Sequence, residues 1–431
     1  MFSRKFSRRR FIQLAAATAA AGSLPGVQRV WAQTSNNDAV KLFLGSHMDY
    51  LTNLTGDYAE LYGVTPSIET ITTADLPVKL NSTFAARQSP GDVAFLTGAL
   101  ISGFADNGWL EDLSDFVDTT LLPAGLLQNA LTAANHLGGT YAVPITIGAP
   151  IMHWNADLFE RNGLDPEAPK AWHSTPNSWD TMVDYAEEMT DADNNVYGLV
   201  DAWAGTHSIY TFGALLQMHG GRFLDDNLDP VMNSDAGVAA LEKMIDVLHV
   251  RKVMDPATPT YTWVFDASPS YLAGNRGIFF TWPFIAGVAN FTEDSQIQGR
   301  SMFAPNPAVD TSASVDGSEY LAIPSFANNP DGGLQFIELA TSLDKQILQG
   351  AESPWAPVLQ PALDHPDVAA NLTVAPVIRQ SYEYPVDGGF SPDRERWVEI
   401  LTSEIALALN QTKTSREALD EAVRLIRQSR S

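Results

Sequence analysis

Between residues 40 and 97, short apolar runs alternate with longer amphipathic stretches. The first run covers 40–46, and a helical pattern follows over 51–62 and stops at Gly63. Residues 67–71 alternate again, a second helical pattern covers 76–87, and Asp92-Val93-Ala94-Phe95-Leu96 reads as a buried strand. Strand, helix, strand, helix, strand predicts a doubly wound α/β sheet. Such sheets bind ligands beyond the carboxyl ends of their strands, which singles out the loops after Ser46 and after Leu96. Further on, Trp179, Met182, Val183, Ala186 and Met189 repeat at helical spacing behind the start at Pro176-Asn177-Ser178. Thr414 and Glu417 form a capping box that opens a helix with apolar positions Leu419, Ala422, Val423 and Ile426.

The chain has 431 residues, long enough for two or three domains, and 45% of them are hydrophobic, enough to fill a core in each. After the first thirty-two residues no stretch approaches twenty apolar residues, so a polytopic membrane protein is excluded. With 26 Lys plus Arg against 51 Asp plus Glu, the net charge of −25 repels nucleic acid and anionic lipid alike. No cysteine is present, which removes disulfides, iron–sulfur clusters, thiol catalysis and a cysteine-linked lipid anchor.

Residues 1–32 read as an export signal. Arg4, Lys5, Arg8, Arg9 and Arg10 precede an alanine-rich apolar run over 11–24 that is too short for an ordinary membrane span. Ser7-Arg8-Arg9-Arg10-Phe11-Ile12 resembles the twin-arginine export signal, and Val30-Trp31-Ala32 puts small residues at the cleavage positions, with the cut expected after Ala32. Removing the six basic residues of this segment leaves 20 basic against 51 acidic residues, a net charge of −31.

Catalytic and metal motifs are absent from the sequence. The eight histidines have no pair at the four-residue spacing of a helical zinc site, and there is no nucleophile elbow, phosphate loop or dinucleotide fingerprint. Asp191, Asp193 and Asn195 imitate a calcium loop, but Val196 stands where glycine is needed and Ala202 where the bidentate glutamate belongs, so a polar hairpin turn is expected. No cofactor and no metal are implied.

Several separated segments carry a family resemblance. Gly138-Gly139-Thr140-Tyr141-Ala142-Val143-Pro144 is followed by Trp154-Asn155-Ala156-Asp157-Leu158-Phe159 and Gly163-Leu164. Then come Ser178-Trp179-Asp180, Tyr197-Gly198, Gly220-Gly221-Arg222-Phe223-Leu224, Ala273-Gly274-Asn275-Arg276-Gly277 with Trp282, and Gly317-Ser318-Glu319-Tyr320-Leu321-Ala322-Ile323-Pro324. In order and spacing the chain resembles the family 1 extracellular solute-binding proteins of ABC importers, of the maltose-binding type, over nearly all of residues 39–428. The resemblance implies a periplasmic binding protein fold of type II: two α/β lobes joined by crossing strands, with the solute held in the cleft between them. It puts the first crossing after Pro144, the second near 306–317 and the third near 352–357. Lobe 1 is then 39–145 plus 312–353, and lobe 2 is 146–311 plus 354–431. One departure is that the Gly-Gly before the last crossing strand is here Asp316-Gly317, which bears on a backbone contact from Gly317 to the ligand.

Sugars and polyols have polar edges and apolar C–H faces, so their sites combine aromatic platforms with hydrogen-bonding groups. The resemblance sets Trp282, directly after an Ile278-Phe279-Phe280 strand, as a stacking aromatic, and Trp397 as a second cleft aromatic. Trp203 and Tyr210 lie in the segment that lines lobe 2. His47 and Asp49 follow the first strand and Thr97 the third, at the sheet edge where ligands bind. Glu319 and Trp355 flank the later crossings, and Arg379 has the fork to pair with an acidic ligand group.

The expected function is that of a non-enzymatic, monomeric, soluble periplasmic receptor. It is exported by the twin-arginine machinery and delivers a carbohydrate or polyol to ABC permease subunits. Two other readings remain open on sequence. One is the same fold binding a charged solute such as a glycerol phosphodiester, sulfonated sugar or polyamine; the other is a secreted glycoside hydrolase using two separated carboxylates.

Overall fold

The structure is a computed structural model that describes residues 39–73 and 75–431. The expected twin-arginine signal, with its expected cleavage after Ala32, lies outside the described residues. Strand β1 (Lys41–Gly45), helix α1 (Asp49–Tyr62), β2 (Ser67–Ile71) and β3 (Val93–Thr97) follow the expected alternation. Gly63 ends α1 in the left-handed conformation at φ 76°, which a side chain resists, and returns its N–H to Ala59 O. β1 pairs in parallel with both β2 and β3, which brings Gly45 and Thr97 to one edge.

After β3 come α2 (Gly98–Asp106), β4 (Val143–Thr146), β5 (Ile151–Asn155), α3 (Ser178–Met189), β6 (Tyr197–Val200) and α4 (Ser208–Met218). Then follow α5 (Val264–Leu272), β7 (Arg276–Thr281), β8 (Ser301–Ala304), β9 (Glu319–Ala322), α6 (Leu343–Glu352), α7 (Arg394–Leu409) and α8 (Ser415–Arg430). The strands form two separate main sheets. The first has the order β2-β1-β3-β9-β4 and the second β8-β5-β7-β6. In the first, β9 is antiparallel to β3 with Glu319 opposite Thr97, and Thr146 lies on the other side of Glu319. In the second, Ile151 sits opposite Thr281, and β6 runs parallel to β7. The chain leaves the first sheet at Thr146 and enters the second at Ile151, so these two edges are the ones joined by the crossings.

Each sheet has its own hydrophobic core. The first holds Leu42, Phe43, Phe95, Tyr320 and Phe336, and the second Trp154, Phe212, Leu241, Trp397 and Leu419. The stripe on α3 is buried as its spacing predicts, and Thr414 and Glu417 make both halves of the box that caps α8. The cores divide the chain differently from the expected lobe boundaries, by a few residues at the first two crossings, where Ile147, Ala149 and Ile151 join the first core and Ala313 and Val315 the second, and by much more after residue 353. Residues 354–431 were assigned together to lobe 2, yet Val358, Leu359, Leu363, Ile378 and Val386 pack into the first core, and the chain joins the second core only at Trp397. The third crossing therefore runs through 387–393 rather than 352–357. The reason is a run of short helices after residue 358 that must bury its apolar face and meets the first sheet to do so.

The crossings are laced side by side. Gly317 N–H donates to Gly148 O at 2.8 Å, Ser314 to Pro385 O at 2.9 Å and Asp316 to Val386 O at 2.8 Å. The Gln217 side chain on α4 clamps them: its Nε2 donates to Ser314 O and Asp387 O, and its Oε1 accepts from Asp387 N. Every functional atom of that buried amide is used, which fixes the path of the strands where a hinge has to pivot. Asp191 and Val196 exchange backbone hydrogen bonds around Asn195, whose φ is 56°, so the calcium-like segment is a hairpin turn. Among the described residues no cluster of metal-ligating side chains occurs and no helix is long and apolar enough to cross a membrane.

Candidate functional site

The joined edges of the two sheets carry two recesses, one on each lobe. On lobe 2, a tight recess is lined by Asp201, His207, Tyr210, Thr211, Phe280 and Trp282, among others. Asp201 follows β6 and Trp282 follows β7, so both project from carboxyl ends of parallel strands. The aromatic rings form a cluster. Tyr210 meets Trp282 edge-on at 4.7 Å between centroids, His207 lies 5.3 Å from Trp282 and 4.8 Å from Trp263, and Trp263 lies 5.2 Å from Trp282. Trp263 is 42% exposed, unusual for so large a ring, and stands at the start of α5 where Asp266 accepts from its backbone N–H.

Burial shifts two ionisable groups in this recess toward their neutral forms. Asp201 is buried and receives Trp203 Nε1–H at 2.9 Å, Ala202 N–H at 2.7 Å and the Thr211 hydroxyl. All of these donors are uncharged; burial outweighs them and pushes the carboxyl up from 3.8 to about 7. Burial likewise pulls His207 down from 6.5 to about 4, against a weaker pull from Asp266. The recess presents aromatic faces and hydrogen-bonding groups, with His207 neutral near pH 7 and Asp201 close to its midpoint.

On lobe 1, a larger and more open recess is lined by His47, Asp49, Tyr50, Lys345, Gln349 and Trp355, among others. His47 Nε2 is 2.9 Å from both carboxylate oxygens of Glu319, and its ring lies 5.1 Å from Trp355. Burial alone lowers the His47 pKa, but the Glu319 hydrogen bond and charge, helped by Asp49, leave it above 6.5. The Tyr50 hydroxyl is buried there without a partner.

Of the residues singled out on sequence, His47, Asp49, Glu319 and Trp355 come together on lobe 1, and Tyr210 and Trp282 on lobe 2. Thr97 lies at the same edge, across from Glu319. Gly317 stands where Trp282 Nε1 would be 2.9 Å from an added Cβ, so the lack of a side chain lets the indole lie on the crossing; its N–H is already bonded to Gly148 O. Trp203 is 3% exposed and packs in the second core, where its indole anchors Asp201. Three expectations need correction. Trp397 does not face the cleft: it is fully buried against Phe223, with Nε1 on Ser391, because the first turn of α7 turns inward onto the second core. Arg379 is on the surface, paired with Asp364 and Glu383, since the short helix carrying it packs on lobe 1 away from both recesses. Gly317 has no free backbone donor for a ligand. Sequence reasoning passed over Asp201, His207 and Trp263. Asp201 had a signal, its position directly after a strand; Trp263 had none, since it sits in a loop with no periodicity.

Comparison with known proteins places this architecture. The profile of the bacterial extracellular solute-binding proteins matches residues 45–347. The chain belongs to that family. An uncharacterized ABC transporter extracellular-binding protein of Pyrococcus horikoshii is 24% identical over 331 residues, covering 71% of this chain and 70% of that protein. The mannitol-binding protein of Pseudomonas aeruginosa is 25% identical over 249 residues, and the chain spans about half of its length, 52%. In structure, maltose-bound MalE3 of T. maritima superimposes with a TM-score of 0.75 at 22% identity, covering 90% of this chain and 99% of that one. That likeness establishes a shared two-lobed fold.

Proposed function

We propose that the protein captures an uncharged carbohydrate or polyol between its lobes and delivers it unchanged to the permease of an ABC importer. The observation that carries this reading is the ring cluster of His207, Tyr210, Trp263 and Trp282 at the strand ends of lobe 2, together with the polar recess of His47, Asp49 and Glu319 at the sheet edge of lobe 1. Aromatic faces suit the C–H surfaces of a sugar or alditol, and the polar groups suit its hydroxyls. The names of the mannitol-binding relative and the maltose-bound neighbour support the same class. A cationic solute is disfavoured by the state of the acids: Asp201 is saturated by neutral donors, and Glu319 is engaged by His47. Closure follows from differential affinity, because a solute that touches both edges stabilises the closed arrangement over the open one. The export signal, the family and the absence of cysteine support a free periplasmic monomer.

Thermal unfolding with and without a panel of alditols and mono- and disaccharides tests this. A bound solute raises Tm and quenches tryptophan fluorescence. A panel that moves neither signal removes the carbohydrate assignment.

A further inference from the structure

We propose that Arg394 is a ligand-binding residue on the floor of the cleft, where its two Nη groups donate to neighbouring hydroxyl oxygens of an uncharged polyol or sugar. This rests on the carbohydrate reading above and names the residue that reads the hydroxyls.

Arg394 opens α7, directly after the third crossing. It is only 9% exposed, yet among the described residues it has no carboxylate within salt-bridge distance. Nε donates to Gly388 O at 2.9 Å, and no acceptor faces Nη1 or Nη2. Those nitrogens are not sealed off from solvent, unlike the buried unpaired atoms elsewhere in the protein. The guanidinium is held flat by two rings, lying 5.0 Å over Phe390 and 5.8 Å over Trp397. Phe390 in turn rests against Gly98, the residue after β3, which puts this cluster at the lobe 1 sheet edge. Tyr210 of the lobe 2 recess is close enough for its charge state to be coupled to that of Arg394. Arg394 is therefore a preorganised fork where the third crossing meets both lobes, with its donors open.

A buried cation without a paired counter-charge is costly, and a chain with 51 acidic side chains had many ways to provide one. The surroundings select the ligand chemistry. Asp387 and Asp316 both lie near Arg394 without touching it. Asp316 is filled by hydroxyls of Ser318, Tyr320 and Tyr382, and Asp387 Oδ1 accepts from Gly389 N–H. Burial pushes both carboxyls up, so neither is a full counter-charge for the fork, and its open donors are left to the oxygens of a ligand. A pair of adjacent hydroxyl oxygens matches the planar fork, and the remaining oxygen of Asp387 is available to accept a hydroxyl proton.

The test is calorimetric titration of D-mannitol, ribitol, maltose and the matched acid D-gluconate into the wild type, Arg394→Met and Arg394→Lys, together with the ligand-free Tm of each. The expected result is that a neutral solute binds the wild type, that Arg394→Met weakens it about 30-fold, and that Arg394→Lys recovers part of the loss. The ligand-free Tm of Arg394→Met is expected at or above that of the wild type, because a poorly partnered charge is removed. Unchanged affinity in Arg394→Met overturns the proposal, as does a ligand-free Tm that falls as it does for Arg276→Met. Preference of the wild type for gluconate overturns the hydroxyl assignment and makes Arg394 an anion site. If the wild type takes none of the four, the carbohydrate reading fails and the named ligand class with it, while the Tm comparison still separates a structural Arg394 from an open one.

Discussion

The second sheet treats its two ends differently. At the amino ends of β6 and β7, Arg276 is 3% exposed and completely engaged. It pairs with Asp255 at 2.7 Å, bonds Asn195 O and Asn275 O, and lies over the Tyr197 ring. At the carboxyl ends, Asp201 is equally buried but has only neutral donors, the rings of His207, Trp263 and Trp282 crowd one another, and nearby Arg394 lacks an acid. A counter-charge closes one place, while the ionisable groups of the other have only neutral partners. The lesson is that the closed end holds the sheet together and the open end is reserved for a guest, as expected where ligands sit beyond carboxyl strand ends.

The contrast breaks first at Arg276. Arg276→Met leaves Asp255 buried without its counter-charge, and a loss of about 3–5 kcal/mol in urea unfolding is expected; a loss below about 1 kcal/mol would make the two ends alike. Trp282→Ala comes next, acting on affinity. Solute binding is expected to weaken by about 2 kcal/mol in calorimetry through loss of the central platform, and an unchanged Kd would remove Trp282 from the site.

A smaller effect concerns pH. The folded pKa of Asp201 is raised to about 7, so the folded state holds the proton more tightly than the unfolded chain. Its stabilising contribution is full below the unfolded value and is lost as pH rises toward about 7. Asp201→Asn is therefore expected to gain on the wild type between pH 5 and pH 8, by roughly 2 kcal/mol in paired unfolding curves. His207 and the buried His153, the latter pulled down to about 3 by burial, run the other way, losing stability as pH falls below 6.5. The variant-minus-wild-type difference isolates Asp201, and a flat difference would contradict its protonated state. Smallest of all is Arg379→Ala. Its surface pairs with Asp364 and Glu383 are worth under about 1 kcal/mol, and no change in solute affinity is expected; a weakened Kd would return Arg379 to the cleft.

The alternation over 40–97 was legible because a two-residue period and a 3.6-residue period leave different apolar patterns, and the structure places β1, α1, β2 and β3 within a few residues of expectation. Strand-end logic also placed His47 and Thr97 at the lobe 1 sheet edge, while Trp282 came from the family resemblance. It failed where position depends on which core a segment joins. Residues 358–386 carry apolar side chains suited to either lobe, and Trp397 looks the same in sequence whether its ring meets Phe223 or a solute. Arg394 was invisible for a related reason, since the absence of a partner is a property of three-dimensional neighbours. Arg379 shows the converse, a fork that looked available and is already paired.

The account turns on a neutral guest held between two lobe edges and released unchanged. Calorimetric titration of the wild type with alditols and sugars, set against matched aldonic acids and polyamines, tests this most directly when the solute is recovered afterwards for mass analysis. The account expects at least one uncharged polyhydroxylated solute to bind at micromolar Kd or tighter and to be recovered with its mass intact. Heat from the charged solutes alone, or a recovered solute of altered mass, would contradict it.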